Sequence, residues 1–244
     1  MGAAILLTAY SLLLTAYCLL SFAMSTIQQD FDRIALVSPD GATHNEHYHN
    51  FLLRHLPSNC HEALEIGCGT GTFARQLAHR SQHVLALDLS PEMIRLAREH
   101  SAQFPNIDFQ LADVLDWPVP DEHFDCIATI ATLHHLPFAE ILLKMKAALK
   151  PGGVLLILDL FEPAGLFDSL SNLLALPLSA TLRLIHHGRL LPPREVRDAW
   201  TAHGDHDSYP TMKEVHSLCD DLLPGAKIKQ HLLWRYSIVW EKPA

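Results

Sequence analysis

The sequence runs to 244 residues, 49% of them hydrophobic and 18% charged, which suits one α/β domain with a large core and argues against a second full domain. Its 18 lysines and arginines against 27 aspartates and glutamates give a formal net charge of −9, with no run of basic residues to track phosphates, which argues against a nucleic-acid partner. The cysteines (Cys18, Cys60, Cys68, Cys126, Cys219) are scattered and form no CxxC pair, so neither a disulfide framework nor a zinc site is indicated and a reducing, cytoplasmic setting fits.

Residues 3–23 carry no charge and have about the length of a bilayer-crossing helix. They lack the basic flank of a signal peptide, and the nearest basic residue after them is Arg33. They also repeat: ILLTAYS at 5–11 is followed by LLLTAYC at 12–18. Tandem copies of the heptanucleotide CTGCTTA translate as Leu-Leu-Leu-Thr-Ala-Tyr-Cys, and Ile5 and Ser11 lie one base change from the corresponding codons. The expectation is therefore a DNA repeat read through from an early start, with translation beginning at Met24. Membrane contact is expected only if 3–23 is a genuine anchor.

From His44 to Leu56 the spacing of Tyr48, Phe51, Leu52 and His55 predicts a lead-in helix that stops at Pro57. An apolar run at Ala63 to Ile66, a glycine-rich turn, a helix at Phe73 to His79 and a strand at His83 to Asp88 follow. Ser90-Pro91-Glu92 supplies an N-cap, a first-turn proline and a first-turn acid for a helix at Met93 to Gln103. Further strands are expected at Ile107 to Gln110, Cys126 to Ile130 and Val154 to Leu158, with a helix at Phe138 to Leu149 closed by Lys150-Pro151-Gly152-Gly153. Such alternation gives a parallel sheet with helices on both faces.

The leucine-rich stretch from Ala164 to Leu191, broken at Pro177, groups Leu166, Phe167, Leu170, Leu173 and Leu174 opposite Asp168, Ser171 and Asn172. It is expected to form a cap or lid over an apolar acceptor pocket. Thr211-Met-Lys-Glu214 is a capping-box pattern opening a helix that ends near Pro224-Gly225, and runs around Ile228 to Trp234 and Tyr236 to Glu241 predict a terminal antiparallel hairpin. The histidine groups His44, His47, His49 and His203, His206 lack carboxylate or cysteine partners at ligand spacing; they read as solvated loop histidines, and no metal site is expected.

The chemistry concentrates in LEIGCGTG at 64–71, where Gly67, Gly69 and Gly71 follow a strand and open a helix, letting a ligand approach the backbone at the helix N-terminus. The spacing is GxGxG rather than the GxGxxG of dinucleotide sites, and Glu65 stands two residues before the first glycine.

Residues 63–159 closely resemble the class I S-adenosylmethionine-dependent methyltransferases, and the last two strands resemble them more loosely. The resemblance implies a doubly wound, seven-stranded, mostly parallel Rossmann-like sheet with one antiparallel edge strand, and S-adenosylmethionine as cofactor. It places Asp88 in LALDLS, with Leu89 beside it, on the ribose hydroxyls, and Asp113 and Val114 in LADVLDWP at the adenine, with Asp116 as the rival register. It aligns Ile130 and Ala131 in FDCIATIATLHHLP with the methionine portion, and LKPGG at 149–153 with the fifth-strand motif.

Methyl transfer from a sulfonium is an in-line displacement with an activated leaving group, so positioning supplies much of the rate. Where the acceptor must lose a proton, His134 or His135 is the nearest candidate base. The acidic charge and the absence of an Asn-Pro-Pro-Tyr motif favour a small or lipid-like acceptor. Two other readings share the opening: an NAD-dependent oxidoreductase, which needs GxGxxG, and a non-catalytic S-adenosylmethionine-binding protein.

Overall fold

The computed structural model describes residues 26–39, 44–163, 177, 191–205 and 207–244. The apolar segment 3–23, Met24, His206 and nearly all of the 164–191 stretch expected as a lid lie outside the described residues. Among the described residues no helix is long and apolar enough to cross a membrane, and Cys60, Cys68, Cys126 and Cys219 are buried free thiols.

Helix α1 occupies residues 26–37, and a 3-10 turn at His44–Tyr48 leads into α2 (His49–Leu53). The central run is β1 (Cys60–Ile66), α3 (Thr72–Ala78), β2 (Ser81–Asp88), α4 (Pro91–His100), β3 (Ile107–Leu111) and β4 (Phe124–Ile130). A 3-10 turn at Leu133–His135, α5 (Phe138–Ala148), β5 (Leu149–Leu160), α6 (Arg194–Gly204), α7 (Met212–Leu222), β6 (Lys227–His231) and β7 (Arg235–Glu241) complete it. The caps form as the residue types dictate: Ser90 accepts from the Met93 N–H, and Thr211 and Glu214 close a reciprocal capping box.

The seven strands are ordered β3-β2-β1-β4-β5-β7-β6. All neighbouring pairs from β3 to β5 are parallel, and β7 runs antiparallel to both β5 and β6. The reversed strand therefore sits one place in from the edge. Composition explains why: β7 (RYSIVWE) is buried along most of its length, whereas β6 (KIKQH) leaves Lys227 and Lys229 exposed, as suits an unpaired edge. Strand β5 also begins earlier than the turn-like Lys150-Pro151-Gly152-Gly153 suggests, because the Gly152 N–H donates to the Lys242 carbonyl and Gly153 accepts from the Lys242 N–H.

Alternation along the strands divides the core between the faces. Leu64, Leu85, Ile127 and Leu155 pack with Ile141, Leu142 and Met145 of α5 and Val215 and Cys219 of α7. Their neighbours Ala63, Ala86, Ala128 and Leu156 pack with Phe73, Ala74 and Leu77 of α3 and Ile94 and Ala97 of α4. The small alanines on this second face let the helices that carry the glycine loop and the Ser90 cap seat closely on the sheet.

Chain order runs outward from β1 through β2 to β3 and then jumps to β4 on the other side of β1. The crevice past the carboxyl ends of β1 and β4 is thus the topological switch point, where open α/β sheets bind ligands.

Candidate active site

The turn after β1 fills that crevice from below. Gly67 has φ +73°, and a Cβ there would lie 2.1 Å from Thr132 Oγ1, so the two switch-point turns meet with no room for a side chain. The N–H groups of Gly67 and Cys68 both donate to the Leu87 carbonyl at 2.9 Å, fixing the loop on β2. Gly69 has φ +52° and nothing within 4 Å of a built Cβ, so its backbone faces open space.

Asp88 ends β2 and organises the loop. Its Oδ2 accepts the Gly69 N–H at 2.7 Å and its Oδ1 accepts the Ser90 N–H at 2.9 Å. Burial raises its pKa against these hydrogen bonds, which favour the carboxylate. Ser90 in turn donates its hydroxyl to Asp32 Oδ1 at 2.5 Å, so α1 is tied to the same corner.

Beneath the loop Glu65 is 2% exposed, and its Oε2 has no hydrogen-bond partner. Burial first, and repulsion from Asp88 second, push its pKa well above the carboxylate range. A buried, unpartnered carboxylate oxygen on a cavity wall is suited to a cationic group of a ligand.

The cavity above these residues is lined by Glu65, Gly67, Gly69, Asp88, Leu89, Asp113, Val114 and Ile130, so most of the residues singled out from the sequence converge on one place. Asp113 is held by the Leu115 N–H on its Oδ1 at 2.9 Å, and it lines the cavity where Asp116 does not. Ala131, at φ +51°, turns the chain out of β4 into the same wall.

Two of the singled-out residues lie off the cavity wall, and one reading of histidines needs correction. Gly71 does not line the cavity; a Cβ there would lie 2.9 Å from Phe109 Cζ, so this glycine serves packing at the N-cap of α3. His134 also stays outside the cavity, because Asp159 takes both its Nδ1 at 2.6 Å and its backbone N–H at 2.9 Å. Burial works against the His134 imidazolium, but Asp159 outweighs it and the pKa is raised. Histidines read as solvated are buried instead: His49 is 4% exposed against Gln76 and Phe73, and His203 is also 4% exposed, packed on Phe31.

His49 also lines the cavity wall, and of the two candidate bases it is His135 that reaches the cavity. Its Nε2 is buried without a partner, and burial together with the neighbouring His134 and His203 brings its pKa down to about 2, so the ring is neutral. The described roof is apolar and comes from helices other than the expected lid: Ile27, Phe31 and Ile34 from α1 and Trp200 from α6, with Phe31 and Trp200 in edge contact at 6.5 Å between centroids. Period-3.6 apolar spacing in 26–37 was the available signal for α1.

A family model described as a methyltransferase domain matches residues 63–153, the segment that builds the floor of this cavity. Over 206 residues the chain is 28% identical to an uncharacterized methyltransferase of Mycobacterium tuberculosis, covering 82% of this chain and 96% of that one. Over 103 residues it is 34% identical to a demethylmenaquinone methyltransferase of Tropheryma whipplei, covering 42% and 43%. The fold is similar to that of the N-methyltransferase NodS from Bradyrhizobium japonicum, solved with S-adenosylhomocysteine, at a TM-score of 0.61 and 17% identity over 89% of this chain and 99% of that one. Sheet order, glycine loop and sequence relatives agree, and the chain belongs to the class I S-adenosylmethionine-dependent methyltransferases, with S-adenosylmethionine as its cofactor.

Proposed function

We propose that this enzyme methylates a small, apolar acceptor whose reacting group ionises readily, of the phenol, hydroquinone or enol type. The observation that carries the reading is the cavity itself, which joins a polar floor to an apolar roof of Ile27, Phe31, Ile34 and Trp200. The name of the Tropheryma whipplei relative, a demethylmenaquinone methyltransferase, supports an acceptor related to quinones.

S-adenosylmethionine supplies an electrophilic methyl group on a sulfonium. The residues of the chain do the rest. Asp88 and Leu89 would hold the ribose, Asp113 and Val114 the adenine, and the Gly67 and Gly69 backbone with Ile130 the methionine portion; Glu65 would face its ammonium. The buried walls would keep water from competing for the methyl group.

The neutral His135 ring supports an acceptor that ionises by itself. An imidazole held down to about 2 takes no proton from an unactivated alcohol near neutral pH. It would instead hydrogen-bond and orient an acceptor oxygen, leaving the acceptor to ionise by its own acidity. His134, whose Nδ1 is committed to Asp159, would position its neighbour rather than touch substrate.

The test is transfer of labelled methyl from S-adenosylmethionine to two panels, alkylated phenols and hydroquinones against hydrophilic amines and alcohols. Acceptor-dependent labelling of the first panel is the expected result. Labelling confined to the second panel, or none in either despite cofactor binding, overturns the acceptor class.

A further inference from the structure

We propose that His134, His135 and Asp207, with His203 beside them, form a binding site for a divalent transition-metal cation of the zinc type. These side chains come from the turn after β4, from α6 and from the residues just past it. The first three offer ligand atoms that all lie within 4.8 Å of one another. His135 would ligate through Nδ1, the atom that faces Asp207, while its Nε2, the atom without a partner, is the one left for the acceptor.

The distances are those of a coordination sphere rather than of a hydrogen-bond network. His135 Nδ1 lies 3.4 Å from Asp207 Oδ1, and His203 Nε2 and His134 Nε2 lie 3.5 and 4.0 Å from Asp207 Oδ2. With metal bonds of about 2.0–2.1 Å, ligand atoms around a tetrahedral ion sit roughly 3.3 Å apart, so small adjustments of these side chains would enclose one ion. The His134, His135 and Asp207 side chains are only 4–6% exposed.

Second partners already fix the ligands. Asp159 accepts from His134 Nδ1 at 2.6 Å, which leaves the lone pair on Nε2, the atom that faces Asp207. This carboxylate–histidine arrangement is how metal-binding imidazoles are held and oriented. Tyr209 donates its hydroxyl to Asp207 Oδ2 at 2.9 Å. The histidines near Asp207 are thus close but not hydrogen-bonded to it, and a buried carboxylate so placed gains from a cation between them. Two imidazoles and one carboxylate select zinc, cobalt or nickel over magnesium and calcium.

The experiment uses the untagged full-length chain, stripped with chelator and titrated with Zn²⁺, with Mg²⁺ as control. Expected are one tight equivalent of Zn²⁺, no comparable uptake of Mg²⁺, and a 10- to 100-fold loss of affinity in Asp159→Asn. Asp207→Asn should lose the site, while His216→Gln, a change on the exposed side of α7, should leave it intact. No stoichiometric uptake, or uptake that Asp159→Asn and Asp207→Asn leave unchanged, overturns the proposal. If Asp207→Asn fails to fold, the Co²⁺-loaded wild type decides: intense visible d–d absorption supports a low-symmetry imidazole site, and the faint spectrum of hydrated Co²⁺ overturns it.

Discussion

Asp88 and Gly69 are joined by a 2.7 Å hydrogen bond from the glycine N–H to Oδ2, so the carboxylate at the end of β2 holds the loop after β1 in place. One residue therefore shapes the glycine loop and lines the cavity. Asp88→Ala is expected to weaken S-adenosylhomocysteine binding by about 1–3 kcal/mol, through lost charge-assisted bonds to the ribose and a loosened loop. Calorimetric titration measures this, and unchanged affinity in a folded variant would place the ribose elsewhere.

Gly67 is a steric matter. A methyl group there meets Thr132 Oγ1 at 2.1 Å and Cγ2 at 2.5 Å, on a backbone at φ +73°. Gly67→Ala should destabilise the protein by about 1–3 kcal/mol in urea unfolding, from strain plus overpacking. Adding Thr132→Ala removes both of those atoms and should restore part of the loss; no restoration would mean that the backbone conformation alone carries the cost.

The acceptor side can be separated from the cofactor side at Trp200. This residue is 41% exposed, lies on α6 at the roof and touches Phe31, remote in sequence from the glycine loop. Trp200→Ala should raise the KM of an apolar acceptor about 10-fold or more, since an aromatic wall contributes on the order of 1–3 kcal/mol, with S-adenosylhomocysteine affinity nearly unchanged. Equal losses for both ligands would assign Trp200 to the cofactor.

Local chemistry explains which parts were readable in advance. Ser90-Pro91-Glu92 and Thr211 to Glu214 are cap signals that act within one turn, and both form as written. The glycine spacing with Glu65 and Asp88 locates the floor of the cavity because that floor is built from consecutive strand ends. The roof and the histidine cluster beside it are different: Phe31 of α1, His135 of the turn after β4 and the α6 residues Trp200 and His203 are brought together by tertiary packing, and no local period reports that α1 and α6 lie together. His203 and Asp207 do stand four residues apart, a pairing signal that a reading of loop histidines passes over. The place of β7 inside β6 likewise depends on its partner β5, whose first pairs hide under a proline-glycine turn pattern.

Glu65 gives a pH signature whose sign is fixed. Burial and the Asp88 charge raise its folded pKa well above the ordinary 4.5. Between these two values the folded chain keeps a proton that the unfolded chain has lost, so the contribution of Glu65 to stability falls as pH rises through that window. Below 4.5 both states are protonated and the penalty vanishes. Glu65→Gln keeps the shape without the titration, so the stability of the wild type relative to the variant should decline as pH rises from about 4.5 and level off above the folded pKa. Cofactor binding should run the other way. A ligand ammonium near Oε2 favours the carboxylate, so S-adenosylhomocysteine should bind the wild type more tightly as pH rises, releasing a proton detectable by titration in buffers of different ionisation enthalpy. The variant should bind more weakly at high pH and release none through this site. A stability difference between the two proteins that does not change with pH would mean that Glu65 titrates alike in the folded and unfolded chains, and would remove it from the cofactor cradle as a charge-sensing group.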